Sequence, residues 1–293
     1  MVNRNGRPAG SARRSLLFVP GARPDRFDKA AASDADIVCI DLEDSVPPAG
    51  KDAARVDALA WLAAQHPKER RELALRCNGV KTLAGIRDLA AFADAGVDGG
   101  LLVLPKVDTA DEVRWVDALM TGAGSGAMLV ALIESVDGLE NVQAIAAATP
   151  RLCLLLFGAA DLSAELGVAM AHEPLLYARS RCAHAARRAG IGLLDVPTLD
   201  FRDLQKVADE AEAAKRLGFT GKAVLHPDNV AAVNRCFTPT DREIDEAEEV
   251  IALFDASPTG LVVRNGKLIE APVIRAMQAI VDTARLTGQT RLP

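Results

Sequence analysis

Polar side chains that can bind metals or move protons recur at one kind of position in this sequence, directly after a short apolar run. They are Asp41, Glu43, Asp44, Arg76, Asn78, Lys106, Glu134, Asp161, Asp195 and His226. Burying a polar group costs free energy unless the group is paired. The repetition therefore indicates a functional site, although Asp195 and His226, taken singly, fit a buried salt bridge or a helix cap equally well.

Two of these acids, Glu134 and Asp161, follow consecutive apolar runs, so neighbouring strands would bring their carboxylates together. Adjacent carboxylates repel each other and require a cation or a shared proton. None of the four histidines is spaced for a zinc site. One or two carboxylates with water and substrate oxygens are the usual ligands of Mg²⁺, and Mn²⁺ fits as well. An alternative role for Asp161 is the N-cap of the helix that follows.

Two cations occupy the same kind of position. Arg76 can bind a carboxylate with both ends of its guanidinium or stabilise an enolate oxygen. Its alternative role is a salt bridge to the acids at 41–44, and the two roles are compatible. Lys106 could serve as a Schiff-base lysine, but the nearby carboxylates favour its charged form. We therefore expect a structural ion pair at Lys106.

Eight short apolar runs alternate with helix-like segments, about 30 residues apart, which is the length of one βαβ unit. The runs are Ser15–Val19, Ile37–Leu42, Leu73–Arg76, Leu101–Leu104, Leu129–Ile133, Leu152–Phe157, Gly192–Val196 and Ala223–Leu225. They are continuously apolar, as strands buried on both faces are. Eight uninterrupted units favour an α/β fold, a (β/α)₈ TIM barrel, whose active site lies at the carboxyl ends of the strands. The absence of a GxGxxG after the first run argues against a Rossmann domain.

The pattern changes near residue 238. A helix is predicted over Asp241–Phe254, a β-hairpin around Asn265-Gly266, and a second helix over Pro272–Leu286. We therefore divide the chain into a disordered basic tail at 1–13, the barrel at 14–237, and a C-terminal lid or oligomerisation extension at 238–293. A transit peptide is the less favoured interpretation of the tail.

The composition limits the classes of function. A net charge of −6 and a hydrophobic content of 49% describe an ordinary globular protein, and no basic surface indicates a nucleic-acid partner. The five cysteines are scattered without a CxxC pair, which favours a reducing cytoplasm. No apolar run approaches the roughly 20 residues needed to span a bilayer.

Eight motifs occur in an order that resembles the HpcH/HpaI aldolase and citrate lyase superfamily, in particular the citrate lyase β-subunit and malyl-CoA lyase branch. The motifs are SLLFVPG (Ser15–Gly21), DLEDSV (Asp41–Val46), LRCN (Leu75–Asn78), LPK (Leu104–Lys106), ALIES (Ala131–Ser135), FGAADL (Phe157–Leu162), KAVLHP (Lys222–Pro227) and NGKLIEAPVI (Asn265–Ile274). The resemblance runs from about Arg14 to Leu286. It implies a carbon–carbon lyase that uses Mg²⁺ and cleaves or forms a 3-hydroxyacyl-CoA thioester such as citryl-, malyl- or citramalyl-CoA.

The resemblance also implies roles for residues. Glu134 and Asp161 match the metal ligands, and Glu134 and Arg76 match residues that contact substrate. Glu43 and Asp44 match acids beside the metal. Arg23 lies where relatives contact coenzyme A. The hairpin over 264–270 matches a lid over the active site of an adjacent subunit, which implies a homotrimer or a hexamer, and Glu270 matches the residue that transfers a proton at the thioester α-carbon.

Two departures and two alternatives accompany this resemblance. The family usually has aspartate where this chain has Glu270, and citrate lyase β-subunits often have an acid where it has Ala160.

One alternative is a class II pyruvate-type aldolase acting on hydroxy-keto acids, but that branch uses a histidine soon after the second strand, where this chain has Glu43-Asp44-Ser45-Val46. The other is a citrate lyase β-type subunit working with an acyl carrier protein.

Overall fold

A computed structural model describes residues 12–65, 72–97, 99–257, 261–264 and 266–289. Eight parallel strands pair in chain order and close into a barrel through hydrogen bonds between the first and the eighth. The strands are β1 (Ser15–Pro20), β2 (Ile37–Asp41), β3 (Glu72–Arg76), β4 (Leu101–Leu104), β5 (Met128–Ile133), β6 (Leu152–Phe157), β7 (Gly192–Asp195) and β8 (Gly221–Val224). The predicted barrel is therefore confirmed, with every strand end within two residues of its expected position.

Helices follow each strand and surround the barrel. They are α1 (Phe27–Ala31), α2 (Lys51–Ala63), α3 (Leu83–Asp94), α4 (Ala110–Gly122), α5 (Val136–Glu140), α6 (Val142–Ala146), α7 (Ala159–Leu166), α8 (Leu176–Ala189), α9 (Leu204–Arg216) and α10 (Val230–Phe237). Polar side chains begin several of them: Thr109 caps α4 by accepting a hydrogen bond from the Glu112 amide, and Asp203 caps α9 in the same way. Such caps fix where these loops, at the carboxyl ends of β4 and β7, enter their helices.

The strand residues divide between two apolar clusters. Alternate residues such as Ile37 and Cys39 pack with one another inside the barrel. The residues between them, such as Val38 and Ile40, pack against the surrounding helices. Because both faces of each strand are buried, the strands read as continuous apolar runs rather than as alternating ones.

The C-terminal extension forms the predicted helix, hairpin and helix. Helix α11 (Asp241–Asp255) packs along α12 (Ala271–Leu286), and between them β9 (Val262–Arg264) pairs antiparallel with β10 (Lys267–Ile269). Asn265, the first residue of the predicted turn, lies outside the described residues, as do residues 1–11 of the predicted basic tail. Apolar side chains of the hairpin are exposed, with Val263 at 70% and Leu268 at 54%. The hairpin thus leaves apolar surface uncovered within a single chain.

No helix among the described residues has both the length and the apolar character needed to cross a membrane. The five cysteines are all free thiols, and four of them are buried.

Candidate active site

The side chain of Arg76, the last residue of β3, is held by the last residue of β2. Its Nε and Nη2 donate hydrogen bonds of 2.6 Å and 2.8 Å to the two carboxylate oxygens of Asp41. The register of the barrel pairs these two residues directly, and the guanidinium also lies over the ring of Phe18 at 4.9 Å. This two-point attachment fixes the guanidinium plane and leaves Nη1 for other partners.

The remaining nitrogen, Nη1 of Arg76, faces the loop after β2. It lies 3.0 Å from Oε2 of Glu43 and 3.4 Å from Oδ2 of Asp44. The salt bridge expected between Arg76 and the acids at 41–44 is therefore confirmed. Substrate contact by Arg76 stays a prediction, and Nη1 is the atom through which such contact would occur.

Glu134 lies directly after β5 and is almost fully buried. Its Oε1 accepts a 2.9 Å hydrogen bond from the main-chain N–H of Lys106, at the carboxyl end of the neighbouring strand. Gly158, which follows β6, is packed against it: a Cβ atom at Gly158 would lie 2.3 Å from Cβ and 2.7 Å from Oε2 of Glu134. This close approach was not expected from the sequence. A lone glycine between an apolar run and a candidate metal ligand is the signal that indicates it.

Asp161 is the third residue of α7, which begins immediately after β6. The N-cap position of this helix is occupied by Gly158, so the alternative role of Asp161 as a helix cap is wrong. Its carboxylate is about half exposed, and Oδ2 lies 3.3 Å from Nζ of Lys106. The same ammonium is 3.7 Å from Oε1 of Glu43, so the ion pair expected at Lys106 is confirmed.

Burial and mutual repulsion change the acidity of this group of carboxylates. Burial, reinforced by the negative charges of Glu43 and Asp161, raises the pKa of Glu134 to about 8. Burial also raises the pKa of Glu43 to about 7, although Arg76 acts in the opposite direction. Burial opposes ionisation of Asp41 too, but the hydrogen bonds and charge of Arg76 outweigh it and lower the pKa of that carboxyl.

These properties fit a hard divalent cation. Glu134, Asp161 and Glu43 present oxygen atoms, and Glu134 and Glu43 resist ionisation in the absence of further positive charge. Within the described residues, no three or more acidic, histidine or cysteine side chains are arranged as a complete metal site. A cation here would therefore take its remaining ligands from water or from substrate, which is the usual manner of Mg²⁺.

Asp195 and His226, also at strand ends, take the structural roles considered for them. Asp195 is buried in ion pairs with Arg179 and with Lys222, whose Nζ lies 3.0 Å away. His226 caps the short helix at 227–229 by accepting a hydrogen bond from the Asp228 amide, and its ring stacks on Phe201 at 5.7 Å.

Arg23 lies in a groove of about 820 Å³ beside the carboxyl ends of β1 and β8. The groove is lined by the cations Arg23, Arg26, Lys29 and Arg202, by Phe201 and His226, and by the acids Asp25 and Asp228, among others. Arg23 itself is half exposed and forms a local ion pair with Asp25 at 2.6 Å. The groove therefore combines an excess of positive charge with a stacked pair of rings.

Glu270 lies apart from this group of strand-end residues. It occupies the N-cap position of α12, its side chain makes no capping hydrogen bond, and it is exposed. In the described part of the chain, no hydrogen bond or ion pair joins it to Arg76, Glu134 or Asp161. The structure thus brings together Arg76, Glu134, Asp161, Glu43 and Asp44 and does not bring Glu270 to them within one chain.

Comparison with known proteins identifies the family. Residues 14–227 match the family described as HpcH/HpaI aldolase/citrate lyase. The L-malyl-CoA/beta-methylmalyl-CoA lyase of Cereibacter sphaeroides is 34% identical over 95% of this chain and 96% of its own. The citrate lyase subunit beta of Escherichia coli is 34% identical over 94% of both chains. This chain belongs to the HpcH/HpaI aldolase/citrate lyase family.

Solved structures agree with this membership. CitE from Mycobacterium tuberculosis, in complex with magnesium, acetoacetate and coenzyme A, superposes with a TM-score of 0.78 at 30% identity, covering 96% of this chain and 99% of that one. RipC from Yersinia pestis has a TM-score of 0.68 and 41% identity, covering 79% of this chain and 97% of its own. The resemblance drawn from the motifs is therefore confirmed. Because relatives matched over nearly their whole length are lyases, the expected enzyme class, a lyase, is confirmed as well.

Proposed function

We propose that this family member is a Mg²⁺-dependent carbon–carbon lyase that cleaves or forms a 3-hydroxyacyl-CoA thioester, of the kind represented by citryl-, malyl- and citramalyl-CoA. The observation that carries the proposal is the group of carboxylates around Glu134 at the strand ends, with Arg76 fixed beside it. The relatives support it, since they include a malyl-CoA lyase and a citrate lyase subunit of nearly full-length similarity.

In this proposal Glu134 and Asp161 hold the metal directly, while Glu43 and Asp44 lie beside it. Glu134 is fixed from two sides, by the Lys106 amide and by Gly158, whereas Asp161 is half exposed. A divalent ion supplies Lewis-acid polarisation of the substrate oxygen that becomes a carbonyl. Mg²⁺ is the preferred ion because all the available side-chain ligands are oxygens, and Mn²⁺ is the expected substitute.

Arg76 then binds the charge that develops on the substrate. Two of its nitrogens remain with Asp41, so the guanidinium does not need to reorient when substrate arrives. Asp44 is 65% exposed and lies 3.4 Å from Nη1, which makes it the partner most easily replaced by a substrate oxygen. A fixed donor aimed at developing charge is an effective form of electrostatic stabilisation.

The basic groove supports free coenzyme A as the carrier of the acyl group. Four cations line it, and phosphates are the anions that such an arrangement binds well. The stacked rings of Phe201 and His226 offer a flat aromatic surface for an adenine base. An acyl carrier protein presents a phosphopantetheine arm without the nucleotide, and would leave these features unused.

Glu270 acts, in this proposal, from a neighbouring subunit. The hairpin that precedes it exposes the apolar side chains of Val263 and Leu268. An isolated two-stranded hairpin is marginal in water, so a docking surface would stabilise it. A trimer or hexamer would place it over an adjacent barrel. If so, inactive Glu270→Ala and Arg76→Ala proteins should regain some activity when mixed under subunit exchange. A monomer in solution, or proven exchange without rescue, would refute this arrangement.

The decisive experiment is a panel of thioesters incubated with enzyme and Mg²⁺. We expect released oxoacid or aldehyde from at least one of citryl-, malyl- or citramalyl-CoA, and none after chelation. Activity confined to the thioester on an acyl carrier protein would instead make the chain a citrate lyase β-type subunit. Cleavage of a hydroxy-keto acid to pyruvate, with no thioester activity, would support the aldolase alternative and reject the proposal.

A further inference from the structure

Lys106 has an unusual main-chain conformation at the centre of the proposed active site. Its φ is +51°, and among the described residues it is the one non-glycine residue with a positive φ. A side chain in this left-handed region carries a free-energy cost that persists only when the surroundings compensate. The compensation here is visible, because this conformation presents the Lys106 N–H to Oε1 of Glu134 at 2.9 Å.

The ammonium of the same residue makes separate contacts. Nζ lies 3.3 Å from Oδ2 of Asp161 and 3.7 Å from Oε1 of Glu43. The side chain is half exposed, so it can leave these partners for solvent without disturbing the core. Lys106 thus contacts the carboxylate group in two ways, through a main-chain hydrogen bond to Glu134 and through a half-exposed side-chain ammonium.

We propose that Lys106 is the built-in counter-ion of the metal site: its ammonium neutralises Asp161 and Glu43 until a divalent cation replaces it, while its main-chain N–H holds Glu134 in place throughout. The inference rests on the proposed function, because it takes Glu134 and Asp161 as the metal ligands. Both cations would compete for Asp161, and like charges at such short range repel. The flexible ammonium yields, and the main-chain hydrogen bond does not depend on it.

A competitor and a structural support have opposite consequences when removed. If the ammonium competes with the metal, deleting it should tighten metal binding, since no ion pair has to be broken first. If Lys106 only supports the ligands, deleting it should weaken binding or leave it unchanged. Because half-exposed ion pairs are modest in strength, we expect the dissociation constant for Mg²⁺ to fall roughly threefold to tenfold.

The test measures Mg²⁺ binding by calorimetry, without substrate, in the wild type, Lys106→Met, Lys106→Gly and Lys106→Arg. The Met and Gly variants should both bind more tightly than the wild type, and the Arg variant, which keeps the charge, should not. Lys106→Gly also relieves the strained φ, which guards against a variant that fails to fold. Lys81→Met is the matched control, because Lys81 is similarly exposed and pairs with Asp108 and Glu112, outside the proposed site. It should bind as the wild type does.

The outcomes separate the two levels of the proposal. Wild-type binding that is lost in Glu134→Gln, with no tightening in either Lys106→Met or Lys106→Gly, would overturn the counter-ion role and leave the proposed metal site intact. Absence of Mg²⁺ binding by the wild type, or binding that survives in both Glu134→Gln and Asp161→Asn, would overturn the proposed site and this inference with it.

Discussion

Two charged clusters combine strand residues with residues of the loops and helices that follow the strands, and they differ in their balance of charge. Near β2–β6, the described acids Asp41, Glu43, Asp44, Glu134 and Asp161 meet two cations, Arg76 and Lys106. Near β7 and β8, two acids, Asp195 and Glu210, meet two cations, Arg179 and Lys222.

This difference in charge balance distinguishes the candidate active site from a cluster that stabilises the fold. In the second cluster Lys222 is fully buried, and its Nζ donates to Asp195 and Glu210 and, at 2.6 Å, to the main-chain oxygen of Val196. In the first, negative charge exceeds positive charge, and burial and repulsion raise the pKa of Glu134 to about 8. A charged residue at a strand end is therefore weak evidence of function. An excess of negative charge, which protons must balance unless a cation binds, is stronger evidence.

The largest effect is expected from removing a metal ligand. Glu134→Gln or Asp161→Asn should lower kcat/KM by about 10³-fold or more, since a Lewis-acid metal supplies several kcal/mol in the transition state. The variants should lose Mg²⁺ binding in calorimetry and keep the circular dichroism of the wild type. Near-normal activity in Asp161→Asn, or full activity after exhaustive chelation, would show that the acidic cluster does not depend on a metal.

Disrupting the second cluster, in which the numbers of positive and negative charges are equal, should instead lower the stability of the fold. Lys222→Met leaves Asp195 with Arg179 alone and should cost about 3 kcal/mol in the free energy of unfolding, because an acid in a buried pair loses a partner. Urea denaturation measures the loss, and kcat/KM per folded molecule should change little. A catalytic defect much larger than the loss of folded protein would place this cluster in the active site. The two clusters would then no longer differ in role.

A smaller effect is expected from Arg76→Lys, which keeps the charge but loses the two-point attachment to Asp41. We expect kcat/KM to fall by roughly 10- to 100-fold, because lysine cannot reproduce the planar fork. Steady-state kinetics with the best thioester measures it, with Mg²⁺ binding as a control that should persist. Unchanged kinetics would mean that Arg76 is only a salt-bridge partner.

The smallest effect concerns the metal-free protein. The raised pKa of Glu134 means that the folded state binds its proton more tightly than the unfolded state, whose glutamate titrates near 4.5. Its contribution to stability is therefore complete below about pH 4.5 and is lost as the pH rises to about 8. Glu134→Gln should accordingly be more stable than the wild type by about 1–3 kcal/mol at pH 8, and by much less at pH 5. Chemical denaturation in chelator at the two pH values tests this, and a stability difference independent of pH would contradict it.

The sequence predicted those features that follow from the order of residues along the chain, namely the strands and the residues at their ends. The apolar runs located the eight strands, and a polar residue after a run located Arg76, Glu134 and Asp161 at one face, because all parallel strands end on the same side. Ion pairs between residues of different elements could not be predicted from the order of residues. The pairing of Asp195 with Arg179, a residue in the first turn of α8, depends on how that helix packs on the barrel.

The main-chain conformation of Lys106 and the assembly of subunits also could not be predicted from the sequence. The left-handed main chain of Lys106 has no signature in the residues around it, since a φ of +51° there depends on the hydrogen bond to Glu134. The proposed role of Glu270 requires the surface of a neighbouring subunit, so this role stays a prediction together with the trimer or hexamer. The division at residue 238 likewise stays a prediction, although it falls between α10 and α11.

The close approach of Gly158 to Glu134 has a consequence for how the two positions evolve. The φ of Gly158 is −102°, outside the left-handed region that favours glycine, so the restriction on larger residues comes from space. Every other amino acid would add a carbon that collides with the glutamate. Because the closest of these contacts is with the Cβ that every residue except glycine carries, replacing the glutamate alone would not make room. Across a large set of homologous sequences, glycine should therefore persist at position 158 wherever position 134 carries any side chain, even in lineages that have lost the glutamate.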